Sequence, residues 1–128
     1  MNISKAALLS GLTIKAVRYY ANIDLVIPNI DPRTGYRDFS NKDIAKLNFI
    51  GRARRLDFSV KECRSLIDLY DNKERSSRDV KKIANEKLKE IDERLSSMNL
   101  LRNELFSLSQ ACKGDDRPDC PIINNFSK

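Results

Sequence analysis

Apolar residues fall into three successive patterns along the chain. Ile3, Ala6, Ala7 and Leu9 have the spacing of a short amphipathic helix that stops at Ser10-Gly11, where glycine can take the left-handed conformation that turns the chain. Thr13 then stands as the N-cap of a second helix, Ile14 to about Ala21, with Ile14 and Val17 facing inward. Two short helices about a tight glycine-containing turn make a helix-turn-helix. The pattern next becomes extended. Leu25-Val26-Ile27-Pro28 reads as a short strand, Asp31-Pro32-Arg33-Thr34-Gly35 as a turn, and Tyr36-Arg37-Asp38-Phe39 as the returning strand of a small wing with Phe39 in the core.

Helical periods then return. Ser40 with Asp43 opens a helix whose stripe is Ile44, Leu47, Phe49 and Ile50. Ser59 with Glu62 is a capping box, followed by Cys63, Leu66, Ile67 and Tyr70 on one face, so Cys63 reads as a small buried apolar residue. After a polar stretch, Ser76 and Asp79 start a helix that runs to about Gln110 without Gly or Pro. Its apolar residues are Ala84, Leu88, Ile91, Leu95 and Met98, then Leu101, Leu105 and Leu108. Such heptad spacing predicts a two-helix seam. A helix of roughly 45 Å needs a partner for that seam, and a second copy of the chain supplies it, parallel or antiparallel. The expected architecture is mainly α. Residues 1–70 form a winged helix-turn-helix domain, 71–77 a linker, 78–110 a dimerisation helix and 111–128 a loop with the C-terminal segment.

Charge adds a partner. The formal charge is +6, and residues 1–58 carry ten of the basic side chains against five acidic ones, an excess suited to polyanions. Lys15, Arg18 and one or both of Tyr19 and Tyr20 lie on the outer face of the second helix, where they suit phosphates and base edges. Arg33 at the wing tip, with Tyr36 and Arg37 beyond it, suits the phosphate backbone. The Arg52, Arg54 and Arg55 cluster ends its helix favourably for the dipole and adds cationic surface. The partner predicted is double-stranded DNA.

The chain has no histidine, which excludes His-based acid–base chemistry and His-containing metal sites. No nucleophile–base pair or phosphate loop is present, so the chain does not read as an enzyme. No apolar run approaches the roughly 20 residues that span a bilayer, the start does not resemble a signal peptide, and three cysteines do not suggest a secreted scaffold. A reducing cytoplasm is the expected setting. Two of those cysteines, Cys112 and Cys120, bracket the polar segment Lys-Gly-Asp-Asp-Arg-Pro-Asp and are followed by Pro121-Ile122-Ile123. Two thiols are too few for a structural zinc or iron–sulfur site. They suit monovalent copper and its group or a redox disulfide; a pair without function is the third reading.

Gly11-Leu12-Thr13, Ala16-Val17-Arg18-Tyr19-Tyr20, Gly35-Tyr36-Arg37 and the long helix leading to paired cysteines resemble, in that order and end to end, the MerR family of metal- and drug-responsive transcription regulators. The loop most resembles the copper-efflux members. The resemblance implies DNA contacts at Lys15, Arg18, Tyr20, Tyr36, Arg37 and Arg54, and an antiparallel coiled-coil homodimer. It further implies linear Cu(I), Ag(I) or Au(I) coordination by Cys112 and Cys120, one ion per pair. Ser77 stands where sensors of divalent ions carry a cysteine, so it bears on selectivity without being a ligand. The implied function is activation of copper-efflux or detoxification genes, by distorting a palindromic promoter site read by RNA polymerase. A thiol redox regulator on the same scaffold is the alternative.

Overall fold

The computed structural model describes residues 1–128 as six helices and one two-stranded sheet. It divides into two compact units, Met1–Lys82 and Ile83–Lys128. The first unit opens with α1 (Ile3–Ser10) and α2 (Ile14–Asn22). Asn2 caps α1 by accepting from the Lys5 amide, Thr13 caps α2 by accepting from the Ala16 amide, and Gly11 turns the chain between them at φ 69°. The wing is β1 (Asn29–Ile30) and β2 (Arg37–Asp38), antiparallel with Asn29 opposite Asp38 and Ile30 opposite Arg37. Its turn closes through the Gly35 amide on the Asp31 carbonyl and the Asp31 amide on the Tyr36 carbonyl, both 2.8 Å.

Next come α3 (Asn41–Arg55) and α4 (Val60–Asp71), each opened by a capping box in which both reciprocal bonds form, Ser40 with Asp43 and Ser59 with Glu62. Phe39, Leu47, Ile50, Val17, Val26 and Cys63 are the largest fully buried side chains and, with Ala6 and Ala7 of α1, make a core from four helices and the wing's flanks. Each of those largest side chains stabilises by about 1.5–3 kcal/mol.

Three expectations change. Leu25 to Pro28 is not a strand: Leu25, Val26 and Pro28 are buried in the turn that leaves α2, and pairing starts one residue later at Asn29. Ile14 is 41% exposed, because the first turn of α2 projects beyond the core that Val17 enters. Tyr70 is also exposed, with its ring against Phe49 at 5.1 Å between centroids.

Helix α5 (Ser77–Ala111) is 35 residues long, roughly 52 Å. Ser76 accepts from the Asp79 amide at its start. Within the second unit, its heptad residues Leu88, Leu95, Met98, Leu101 and Leu105 are 54 to 64% exposed on the single chain. Lys87, by contrast, is buried; its amine donates to Glu90 (2.8 Å), which also accepts from Arg94 (2.6 Å), and the two donors hold the Glu90 carboxyl below its usual range. The chain ends in α6 (Pro121–Phe126), a short helix that the apolar pattern did not indicate.

Candidate functional site: a basic reading surface and a two-thiol loop

The cationic side chains expected to meet DNA come from α2, the wing and the end of α3 in the first unit. Lys15 and Arg18 are exposed on α2, as are Arg33 and Tyr36 on the wing. The fold brings Arg18, Tyr36 and Arg37 around one cavity of about 310 Å³ whose other walls are Asn2 and Ile3. Arg37 is oriented by Asn22 at the end of α2, to whose side-chain oxygen its guanidinium donates at 2.6 Å. The wing is thereby tied to the helix, and the two cationic groups face one concavity.

Two expected positions look different in the structure. Tyr20 is 8% exposed and belongs to the core, whereas its neighbour Tyr19 is 48% exposed. Tyr20 thus offers a partner far less surface than Tyr19 does. Arg54 is exposed, but its guanidinium donates to the Phe58 carbonyl at 2.9 Å, where the chain turns from α3 to α4 through Asp57 at φ 72°. Asn2 and Asn22 were missed. Asn2 carries a helix-capping signal at most, and Asn22 becomes relevant only when the wing folds back beside it.

In the second unit, Cys112 directly follows α5, and its amide still donates to the Leu108 carbonyl at 3.2 Å. Gly114 at φ 66° breaks the helix, and the segment turns back to Cys120, the N-cap of α6. Pro121 in the first turn of α6 has the fixed φ that suits that position. Asp115 holds the loop: one oxygen accepts from the Arg117 amide at 3.0 Å, and the other accepts from the Arg117 guanidinium at 2.8 and 3.1 Å. Those bonds keep the Asp115 carboxyl below its usual range. Asp119 accepts from the Asn124 side chain at 3.2 Å.

The result is a pair of half-buried free thiols with sulfurs 3.0 Å apart and hydrogen-bonded to each other. The pair titrates unequally. The contact between the two sulfurs, aided by the Ile123 and Ile122 amides at the start of α6, moves the Cys120 thiol down, while the same contact raises Cys112. No set of three or more ligand-type side chains converges anywhere in the chain. The loop carboxylates Asp115 and Asp119 are occupied by Arg117 and Asn124. The donor set is thus two soft sulfurs, which fits a low-coordinate soft ion and not zinc. Cys63, fully buried on α4, has its thiol pushed up by burial and belongs to the core, as its helical spacing indicated. Ser77 is the first residue of α5.

Comparisons with known proteins cover the same elements. A family profile described as "MerR HTH family regulatory protein" matches residues 1–69, and one described as "MerR, DNA binding" matches residues 44–108. The HTH-type transcriptional regulator HmrR of Rhizobium leguminosarum bv. viciae is 48% identical over 99% of this chain and 98% of its own. The HTH-type transcriptional regulator CueR of Salmonella typhimurium is 41% identical over 99% of this chain and 92% of its own. Among solved structures, the transcription regulator PbrR691 from Ralstonia metallidurans, in complex with lead(II), superposes with a TM-score of 0.85 at 22% identity, over 98% of each chain. The regulator MerR from Bacillus megaterium, in complex with mercury(II), gives 0.73 at 27% identity over 95% of each. No helix is long and apolar enough to cross a membrane.

Proposed function

The chain belongs to the MerR family of DNA-binding transcription regulators, and on that premise we propose that it is a copper-responsive activator. It binds a palindromic promoter site as a homodimer and turns on efflux or detoxification genes when Cys112 and Cys120 hold Cu(I), Ag(I) or Au(I). The observation that carries this reading is the sulfur pair at 3.0 Å with no third ligand beside it. Two thiolates without histidine or carboxylate select soft monovalent ions over zinc and other harder divalent ions. The mercury(II)-bound relative supports a soft-ion role for the same architecture.

The chain's own residues divide the work. Lys15, Arg18, Arg33, Arg37 and Arg54 neutralise phosphates, Tyr36 offers its hydroxyl beside them, and the buried Tyr20 packs behind Tyr19 on the same helix. The exposed stripe of α5 is covered by the second copy. Ser77 withholds the thiol that a divalent ion would need as a further ligand. Bound ion supplies the bias between two dimer states with different promoter geometry, one of which RNA polymerase can use; it does so only as far as its affinity for them differs.

Transcription in vitro from a cognate promoter, at buffered Cu(I), tests the proposal. The wild-type chain activates. Cys112→Ser and Cys120→Ser bind the promoter as before and do not respond. A response by both variants would overturn the assignment.

A further inference from the structure

The spacing of the two sulfurs has a second consequence. A disulfide needs them roughly 2.0 Å apart. An ion held on a line between two thiolates needs roughly 4.6 Å, twice the roughly 2.3 Å of a zinc–thiolate bond. At 3.0 Å, the pair stands nearer to the disulfide than to the metal-spread arrangement. The surrounding bonds hold the segment: the Cys112 amide donates to the last carbonyls of α5, Cys120 is the N-cap of α6, and the Asp115–Arg117 clasp closes the loop between them. Both cysteines are half-buried and reachable by small reagents, while Cys63 is fully buried and removed from exchange.

We propose that the metal-free loop is a reversible redox site, in which a low-molecular-weight disulfide converts Cys112 and Cys120 to an intraloop disulfide that cannot take up metal. The inference rests on the reading of this loop as the metal site. Its direction is opposite to that of a redox activator: oxidation silences the sensor, and bound metal protects it. In the first step one loop thiolate, its proton gone to solvent, attacks the small disulfide, forming a mixed disulfide and releasing one small thiolate. In the second step the other loop thiolate attacks the protein-side sulfur, forming the Cys112–Cys120 bond and releasing the second small thiolate. The two released thiolates take up the two protons. The protein loses two protons and two electrons, and one small disulfide becomes two small thiols.

The test uses the full-length, metal-free chain with oxidised glutathione in deoxygenated buffer, followed by acid quench, denaturation, alkylation and intact-mass measurement. The expected product has lost two hydrogens and carries one alkyl group, mapped to Cys63. It still binds promoter DNA but does not take up Ag(I) until dithiothreitol restores it. Preloading with Ag(I) abolishes the oxidation, and Cys120→Ser stops at the glutathione adduct. Wild type that remains reduced, stops at the adduct or pairs Cys63 overturns the proposal, as does an oxidised chain that still takes up Ag(I). Tight Ag(I) uptake without any disulfide leaves the metal reading standing and removes this one. A disulfide that forms equally with and without Ag(I), on a chain that never takes up Ag(I), removes both.

Discussion

The two units of this chain spend their leucines differently. In Met1–Lys82, Leu47 is 0% exposed, surrounded by a core drawn from four helices and the wing; in Ile83–Lys128, Leu95 is 62% exposed on a helix with no second layer. The first unit satisfies its own hydrophobic pattern. The second repeats an apolar residue every three or four positions and leaves the stripe open, a pattern that only another helix completes. The basic surface is therefore a property of one chain, and the two-thiol loop follows an element whose apolar stripe one chain leaves open.

The largest expected effect follows from the open stripe. Leu95→Asp places a charge in the seam of both copies and removes burial worth about 1.5–3 kcal/mol in each. The dimer dissociation constant is expected to rise by about a thousandfold, roughly 4 kcal/mol, read by sedimentation at several concentrations. The first unit should keep its native signal. An unchanged dimer would show that the stripe is covered by something other than a second copy.

Leu47→Ala is the matching change in the closed unit. A leucine removed from a full core costs about 2–5 kcal/mol. The loss is expected in urea denaturation at every protein concentration, whereas the cost of Leu95→Ala should vary with concentration because it acts through association. If both mutants behaved alike, the contrast between the units would be lost.

Arg18→Ala is next. Removal of one contact from the cavity shared with Tyr36 and Arg37 is expected to weaken promoter binding by about tenfold and, where the contact is a phosphate, to lower the salt slope by about 1. Ag(I) uptake by the loop should be unchanged. Arg37→Ala and Asn22→Ala should weaken binding in the same direction, because Asn22 orients Arg37. An Asn22 variant with wild-type affinity would show that this hydrogen bond does not matter on DNA.

What could be read in the sequence was local. The glycine stop after α1, the capping boxes at Ser40 and Ser59, the burial of Cys63 and the long heptad helix all depend on residues within a few positions of one another. What could not be read depended on tertiary packing. Tyr19 and Tyr20 are adjacent on a nine-residue helix, and only the core decides which ring is covered. The run Leu25 to Pro28 is apolar because a buried turn passes there, which mimics a strand. Pro121 after Cys120 could have signalled the start of α6, but six residues are too few for periodicity to register. In the loop, spacing revealed the two thiols but not the 3.0 Å between them.

The smallest expected effect concerns the loop itself. Asp115 and Arg117 form a forked pair with side chains 40% and 69% exposed, and water screens exposed pairs of this kind so that they contribute little. Unlike the first unit, the loop has no core to hold it, so even this contribution bears on the relative position of the sulfurs. Arg117→Ala is expected to lower Ag(I) affinity by about two- to fivefold, measured by competition with a chelator, with promoter binding by the metal-free chain unaltered. Arg117→Lys, which keeps the charge but loses the fork, should recover part of the loss, and high salt should shrink the difference. A loss of tenfold or more would mean that Arg117 does more than close the loop. No change at low salt would mean that the backbone turn at Gly114 and the cap at Cys120 hold the thiols without it.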